Sequence, residues 1–175
     1  CEVSYFCATL AKSFDMSPAS HVKTVWITRD HQARLAIEQM HRDENSLTAS
    51  AVSRQLIAVL EPGSNLVLSS SMPIRDMEWF GGDCSKFRVF SNRGANGIDG
   101  VLATAIGVAV ATGHPTAVLI GDVAFVHDSS SLIALKRRGL NLKILVTDND
   151  GGGIFHYLPQ ATLLAPDVFE TLFGT

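Results

Sequence analysis

Two oxygen-bearing side chains, those of Asp122 and Asn149, each follow an apolar run that is typical of a buried parallel strand. A segment with the composition of a crossover helix, residues 129–138, lies between the two runs. Because the carboxyl ends of parallel strands meet at one edge of a sheet, the carboxylate and the amide oxygen are predicted to converge there. Hard oxygen ligands beside the glycine-rich run 151–153 suit a Mg²⁺ ion that is held together with a diphosphate.

Both residues also fit ordinary turns. A Gly-Asp after a strand, and the Asp-Asn-Asp-Gly run at 148–151, are common turn compositions. The same run begins like a calcium-binding loop, but Pro159 occupies the twelfth position, where a bidentate carboxylate is needed. The sequence has no Gly-x-x-x-x-Gly-Lys-Ser/Thr run, which excludes a P-loop. The occurrence of both residues at strand ends, with a helix between them, favours the metal and diphosphate interpretation.

The elements that must position these residues alternate along the chain. Strands are predicted at 22–28, 65–69, 87–90, 116–120 and 142–146. Helices are predicted at 30–42, 48–60, 129–138 and from Val101 onward, the last in a run of small residues. This alternation predicts the α/β class, with a doubly wound parallel sheet and helices on both faces.

Two arginines, Arg75 and Arg93, lie just past predicted strand ends. An arginine fork matches a carboxylate bidentately, so two of them on one rim of the sheet would suit a dicarboxylate substrate. A surface ion pair is the ordinary alternative for each arginine taken alone.

Gly94, Gly97 and Gly100 follow the second arginine at a spacing that fails as a dinucleotide fingerprint. The spacing does fit a tight turn whose amides face a ligand as the next helix begins. Ile98 is unusual in such a turn, unless it packs onto the following helix as a hydrophobic staple.

Composition excludes several functional classes. The net charge of −3 gives no reason to expect a nucleic-acid partner, and no apolar stretch is long enough to span a bilayer. The three cysteines have neither metal-ligand spacing nor the even number of a disulfide framework. A hydrophobic fraction of 46% with 18% charged residues fits a globular protein.

Four segments, in order along the chain, resemble the 2-succinyl-5-enolpyruvyl-6-hydroxy-3-cyclohexene-1-carboxylate synthases, thiamine diphosphate enzymes of menaquinone and phylloquinone biosynthesis. The most specific segment is Ser-Asn-Arg-Gly-Ala-Asn-Gly-Ile-Asp-Gly at 91–100. The other three are 71–76, 121–128 and 151–159, and the closing residues 169–175 are similar as well. The resemblance covers residues 46–175 and implies the thiamine diphosphate-binding form of the doubly wound sheet.

The resemblance implies a role for each residue that matches the family pattern. The metal ion, Mg²⁺ or Mn²⁺, would be bound by Asp122, Asn149 and the backbone carbonyl of Gly151. Ile98 would bend the cofactor, which explains an apolar residue in the turn. The other cofactor-binding residues would be Asn96, Gly97 and Gly121. The catalytic pocket would hold substrate carboxylates with Ser71, Arg75 and Arg93 and would exclude water with Ile154, Phe155 and Leu158.

The implied reaction is the decarboxylation of 2-oxoglutarate, followed by conjugate addition of the resulting carbanion to isochorismate. The family also implies a homodimer or homotetramer, in which a pyrimidine-binding domain supplies a glutamate that activates the cofactor. Nothing in this sequence resembles that domain, so we expect the isolated chain to be inactive and its uncovered dimer face to associate. We expect the intact enzyme to be cytoplasmic, or plastidic in a photosynthetic eukaryote.

Residues 1–44 give mixed signals and are expected to be the tail of a preceding central domain with its linker. Residues 45–175 are expected to be the diphosphate- and metal-binding domain, incomplete at its carboxyl end. The chain begins without a methionine or a signal peptide and stops just after a helical pattern, so we expect both ends to be truncated.

The sequence departs from the family pattern at three positions. Thr147 and Asp148 stand where asparagines are common, and an added carboxylate near the diphosphate would either weaken cofactor binding or point away. His156 stands where a small polar residue is expected, and it is either a proton-transfer residue or an ordinary loop histidine. Two further functions stay open: another thiamine diphosphate-dependent 2-keto acid decarboxylase or carboligase, and a non-catalytic α/β binding module.

Overall fold

The computed structural model describes residues 3–13, 20–43, 46–135 and 138–174. The chain divides into two compact units, Cys1–Asn45 and Ser46–Thr175. The predicted boundary at residues 44 and 45, the Lys136-Arg137 part of the predicted crossover helix, and Thr175 lie outside the described residues.

The described part of the first unit is helical, with α1 at Val3–Ser13 and α2 at Ser20–Asp43. The helix predicted at 30–42 is confirmed as part of α2, but the strand predicted at 22–28 is wrong, because α2 runs through it. β-branched residues at 22–28 favour extended backbone only weakly, and such residues also occur in helices. Side-chain hydrogen bonds one turn apart support the helix, from Arg34 Nε to Asp30 Oδ2 at 2.8 Å and from Gln39 Nε2 to Asp43 Oδ1 at 2.9 Å.

The second unit is built on a sheet of four parallel strands in the order β2-β1-β3-β4. The strands are β1 at Asn65–Leu68, β2 at Arg88–Ser91, β3 at Thr116–Gly121 and β4 at Leu142–Thr147. Four of the five predicted strands are therefore confirmed, and the predicted parallel, doubly wound sheet is correct. All four carboxyl ends lie on the same edge of the sheet, which we call the carboxyl rim.

Helices precede, connect and follow the strands. Before β1 lies α3 at Ala49–Val59. Between the strands lie α4 at Met72–Asp76 with a π-helical turn at Met77–Gly81, α5 at Val101–Thr112, and α6 at Asp122–His127 with a 3₁₀ turn at Ser129–Ala134. After β4 come a 3₁₀ turn at Gly153–Tyr157, α7 at Gln160–Leu163 and α8 at Pro166–Phe173. The predicted α3 and α5 are confirmed. The predicted crossover helix 129–138 begins seven residues too late, because α6 starts at Asp122 and a 3₁₀ turn follows it. None of the helices in the described ranges is long and apolar enough to cross a membrane.

The core has two layers because side chains alternate along each central strand. On one face Leu66, Leu68 and Leu119 pack with Leu56 of α3. On the other face Val67, Val118 and Ile120 pack with residues of α5 and α6, including Leu102, Ala105 and Ala124. Burial of both faces explains why these strands are continuously apolar, and it confirms the prediction of helices on both faces.

Candidate functional site

The ends of β3 and β4 are joined by a direct contact. Asp122 begins α6 immediately after β3, and its Oδ2 accepts the backbone N–H of Gly151 at 2.7 Å. Gly151 belongs to the segment 148–153, which follows β4. We call this segment the metal loop, after the metal ligands that are predicted in it. Asp122 thus contacts this loop from a position 29 residues away, and the predicted convergence of its carboxylate with the Asn149 amide oxygen stays a prediction.

The metal loop needs its glycines. Gly151 is buried with φ of +106°, a conformation that L-residues with side chains rarely adopt, and a Cβ there would collide with the carbonyl of Phe173. The side chain of Asn149 lies over Gly153, where an added Cβ would stand 3.0 Å from the amide carbon. The loop is therefore folded tightly enough that its oxygen donors hold a defined position.

The side chain of Asp148 forms a hydrogen bond within the metal loop. Its Oδ1 accepts the backbone N–H of Asp150 at 3.2 Å, which is an Asx turn. Asp148 also lines a cleft of about 540 Å³ together with Asp122, Val123, Val126 and His127. Two carboxylates on one cleft would repel a bare diphosphate, so a diphosphate requires a divalent cation there.

The residues present fit such a cation. Asp122 uses one carboxylate oxygen for Gly151 and has a second that would face the ion. The Gly151 carbonyl accepts the N–H of Gly153 at 3.0 Å, and a carbonyl oxygen has a second lone pair. With the amide oxygen of Asn149, these donors would make up an all-oxygen set of the kind that Mg²⁺ prefers. Over the described ranges no group of three or more His, Cys, Asp or Glu residues offers a different metal site.

The other half of the carboxyl rim, after β1 and β2, holds the two arginines. Half-buried Arg75, in the last turn of α4, donates from Nη1 to the carbonyl of Ser71 at 2.7 Å. Ser71 has φ of +69° and ψ of −134°, a strained backbone for a residue other than glycine, and such strain is common at binding sites. One guanidinium donor of Arg75 is therefore used to hold the turn, and a guanidinium has four further N–H donors.

Arg93 is held through Asn96. Arg93 Nη1 donates to Asn96 Oδ1 at 2.8 Å, and Ser70 Oγ donates to the same oxygen at 3.2 Å. This three-residue link joins the segment after β1 to the segment after β2. Asn96, which the sequence placed with the cofactor-binding residues, is in this structure the acceptor that orients an exposed arginine.

The glycine-spaced turn packs onto the sheet through Ile98. Its side chain is half-buried against the core layer of α5 and α6, as the staple interpretation expects, while one side stays accessible. An added Cβ at Gly97 would be 2.7 Å from the Asp99 carboxylate. Gly121, the last residue of β3, stands directly before Asp122 and has open space around its Cα.

Ile154, Phe155 and Leu158, the residues predicted to exclude water, are called the apolar wall here, and they differ in exposure. Ile154 and Phe155 are half-buried in the 3₁₀ turn after the metal loop, and Leu158 is 39% exposed. Phe155 stacks on Phe173 with ring centroids 4.1 Å apart. His156 is exposed, with Nδ1 3.3 Å from the Gly153 carbonyl and its ring edge-on to Phe169 at 4.9 Å. These contacts are those of a loop histidine, and they give no support to a proton-transfer role.

Sequence reasoning missed several residues around the site. Asp128 is buried and caps α5 from a distance, because its Oδ2 accepts the N–H of Ala103 at 2.9 Å. Asp76 is 5% exposed, and the loss of solvation raises the pKa of its carboxyl above the ordinary value for aspartate. Ser70 and Phe173 were missed because their partners are distant in sequence, and no local spacing marks such contacts.

Comparison with known proteins identifies related sequences. Residues 84–166 match the family described as thiamine pyrophosphate enzyme, C-terminal TPP binding domain. The chain is 46% identical over 154 residues to the 2-succinyl-5-enolpyruvyl-6-hydroxy-3-cyclohexene-1-carboxylate synthase of Lysinibacillus sphaericus, a match covering 86% of this chain and 26% of the relative. The Myxococcus xanthus synthase is 40% identical over 152 residues, with the same two coverages, and the Rubrobacter xylanophilus synthase is 39% identical over 175 residues, covering 99% and 30%.

A structural likeness supports the fold alone. An X-ray structure from Mycobacterium smegmatis, described as that of a thiamin diphosphate-dependent enzyme, matches 61% of this chain and 21% of its own, with a TM-score of 0.51 and 21% identity. The chain spans between 26% and 30% of the length of the synthases named above. These matches show that the chain is homologous to the carboxyl-terminal part of the 2-succinyl-5-enolpyruvyl-6-hydroxy-3-cyclohexene-1-carboxylate synthases and contains a match to the C-terminal TPP binding domain of thiamine pyrophosphate enzymes.

Proposed function

We propose that the intact protein catalyses the thiamine diphosphate- and Mg²⁺-dependent decarboxylation of 2-oxoglutarate and the conjugate addition of the remaining four-carbon unit to isochorismate. The product would be 2-succinyl-5-enolpyruvyl-6-hydroxy-3-cyclohexene-1-carboxylate, an intermediate of the menaquinone pathway. The names of the relatives support this reaction, and the chain matches them over a quarter to a third of their length.

The observation that carries the proposal is the 2.7 Å contact between Asp122 Oδ2 and the Gly151 N–H. It fixes the end of β3 against the metal loop, which supports a shared site for the oxygen donors of both segments. Asp122, Asn149 and the Gly151 carbonyl would hold Mg²⁺ or Mn²⁺ there, and the ion would neutralise the cofactor diphosphate beside the carboxylates of the cleft.

The bound cofactor would supply an electron sink for decarboxylation, and the residues of this chain would bind, orient and exclude water. Ile98 would present its accessible side to the cofactor from a turn anchored in the core. Gly97 and Gly121 would allow close approach of ligand to backbone, and Asn96 would serve mainly through Arg93. Ile154, Phe155 and Leu158 would keep water from the reacting carbon.

The arginines would select dicarboxylate substrates. Arg75 and Arg93 each have one donor engaged with a protein oxygen and further donors directed by the rigid guanidinium plane. Ser71, at the strained turn that Arg75 holds, would add a hydroxyl to the same pocket. Two fixed cations would orient two anionic substrates and offset their mutual repulsion.

The proposed enzyme needs more than this chain. Activation of the cofactor requires the glutamate of a pyrimidine-binding domain, which the homodimer or homotetramer of the intact enzyme would provide. We therefore expect the isolated chain to bind the cofactor weakly and to show no turnover. Repeated turnover by the purified chain alone would contradict this expectation.

The test is the release of CO₂ from 2-oxoglutarate by the intact enzyme, with and without isochorismate, thiamine diphosphate and Mg²⁺. Release that requires the cofactor and rises strongly with isochorismate is the expected result. Cofactor-dependent release from a different 2-keto acid would retain the site and replace the reaction by that of another decarboxylase or carboligase. No release with any acceptor, together with no metal-dependent cofactor binding, would point to a non-catalytic binding module.

A further inference from the structure

The metal loop is attached to the last helix of the described chain. The backbone N–H of Gly152 donates to the carbonyl of Phe173, at the carboxyl end of α8, with a nitrogen to oxygen distance of 2.6 Å. This bond satisfies one of the carbonyls that a helix leaves unpaired in its last turn. The loop that carries Asn149 and Gly151 therefore rests on a helix that begins more than ten residues later in the sequence.

The ring of Phe173 makes a second connection. It stacks on Phe155 of the apolar wall, with centroids 4.1 Å apart and planes 24° from parallel. It also packs against Phe169, 4.9 Å away, and Phe169 is only 8% exposed. Aromatic pairs of this kind stabilise a fold beyond the effect of simple burial. Phe173 thus contacts the metal loop through its carbonyl and the wall through its ring.

The close approach depends on two glycines of the metal loop. A Cβ on Gly152 would stand 2.7 Å from the Phe155 ring and 3.3 Å from the Phe173 carbonyl, and one on Gly151 would overlap that carbonyl. Gly151 and Gly152 therefore leave no free space against Phe155 and the end of α8. A shift of α8 must for this reason move the metal loop or the apolar wall.

We propose that Phe173 is a positioning residue that sets the metal loop and the apolar wall as one unit. The proposal rests on the proposed function, because it assumes that the loop binds Mg²⁺ and the cofactor diphosphate. With Phe173 in place, the loop is ordered before the ligand arrives. Without it, binding must also supply the cost of ordering the loop, so affinity falls while the chemical step is preserved.

The experiment compares four forms of the intact enzyme: wild type, Phe173→Ala, Phe173→Leu and the control Leu172→Ala. Leu172 is the preceding residue of α8 and is 61% exposed. The dissociation constant of thiamine diphosphate at fixed Mg²⁺ is measured by titration calorimetry, and kcat is measured at saturating cofactor. We expect Phe173→Ala to weaken cofactor binding about tenfold, which corresponds to about 1.4 kcal/mol. Phe173→Leu should recover part of the affinity, Leu172→Ala should match wild type, and saturating cofactor should restore kcat.

A coupling measurement separates positioning from general stability. Phe155→Ala alone and combined with Phe173→Ala should show non-additive losses of cofactor affinity, because the two rings act through one contact. Hydrogen exchange of the cofactor-free enzyme should accelerate at the metal loop in Phe173→Ala and stay unchanged in β1. This readout needs no bound cofactor, so it tests the coupling even if wild type fails to bind thiamine diphosphate, a failure that would overturn the proposed function instead.

Three results would overturn the positioning role. They are unchanged cofactor affinity in Phe173→Ala, loss of kcat that saturating cofactor does not restore, and exchange that accelerates equally in β1. If Phe173→Ala does not fold, Phe173→Leu decides: wild-type affinity with wild-type exchange at the metal loop would contradict the proposal, and a loss confined to the loop would support it.

Discussion

The two halves of the carboxyl rim hold their functional groups in different ways. After β3 and β4, Asp122 bonds to a backbone N–H of the metal loop, and that loop bonds in turn to the carbonyl of Phe173. After β1 and β2, the arginines bond to local acceptors, the Ser71 carbonyl and the Asn96 side chain. We call these two parts of the rim the metal half and the arginine half. In the metal half the loop itself is held through its backbone N–H groups, whereas in the arginine half each contact is made by a flexible arginine side chain.

The difference has a physical consequence. A donor set fixed by backbone contacts loses little entropy when an ion binds, but one wrong atom displaces the whole set. Side-chain donors lose their conformational freedom individually, so each contributes a separate and smaller share. Substitutions in the metal half should act in an all-or-none manner, and those in the arginine half should act in graded steps.

The largest effect is expected from Asp122→Ala in the intact enzyme. The substitution removes a carboxylate that both faces the proposed ion and holds the Gly151 N–H. Metal-dependent binding of thiamine diphosphate should fall by about a hundredfold or more, measured by calorimetry with and without Mg²⁺. Asp122→Asn, which keeps the shape, should lose most of this affinity as well. A variant that still retains cofactor with Mg²⁺ would remove Asp122 from the ligand set.

Gly151→Ala should give the next largest effect and separates packing from backbone strain. Both Gly151 and the control Gly82 have positive φ, +106° and +94°, but only Gly151 would place its Cβ against another segment. Gly82→Ala should cost about 1 kcal/mol of unfolding free energy from backbone conformation alone. Gly151→Ala should cost more and should also weaken cofactor binding. Equal losses of stability in the two variants, with cofactor binding intact, would show that the contact with Phe173 is unimportant.

Arg93→Ala should weaken substrate use without loss of cofactor. Loss of one charge-assisted hydrogen bond to the substrate should raise the KM for 2-oxoglutarate about tenfold. The control is Arg88→Ala, since Arg88 is exposed at the opposite end of β2. Steady-state kinetics at saturating cofactor provide the measurement, and unchanged KM in Arg93→Ala would exclude this arginine from the pocket.

The smallest effect is expected from Asp76→Asn, beside Arg75. Burial raises the pKa of the Asp76 carboxyl, so the folded state holds its proton more tightly than the unfolded state does. Wild-type stability should therefore fall as pH rises above about 4, the ordinary pKa of aspartate, through the raised value. Asp76→Asn should flatten this part of the pH profile of unfolding and stabilise the fold at neutral pH. An unaltered profile in Asp76→Asn would refute the assignment.

The sequence predicted the sheet well and the connections less well. Continuous apolar runs identified β1 and β3 because both strands are buried on both faces, and shorter apolar runs identified the partly exposed edge strands β2 and β4. The strand at 22–28 was wrong, because β-branched residues also occur in helices and their preference for strands is weak. The start of α6 was placed too late, since Asp122 reads equally as a turn residue and as the first residue of a helix.

By itself the sequence determined the chemical types at the carboxyl rim: hard oxygen donors after β3 and β4, arginines after β1 and β2, and glycines where the backbone must turn. Chain order along parallel strands is sufficient for that, because each strand delivers the residues that follow it to one edge. Only the tertiary structure decided which donors already have hydrogen-bond partners within the protein. It also showed that Asn96 orients Arg93 and that the carbonyl of Phe173 contacts the metal loop. The Gly152–Phe173 bond joins residues far apart in the chain. Asn96 is close to Arg93 in sequence, but it also accepts a hydrogen bond from Ser70, 26 residues away, and no local pattern encodes that contact.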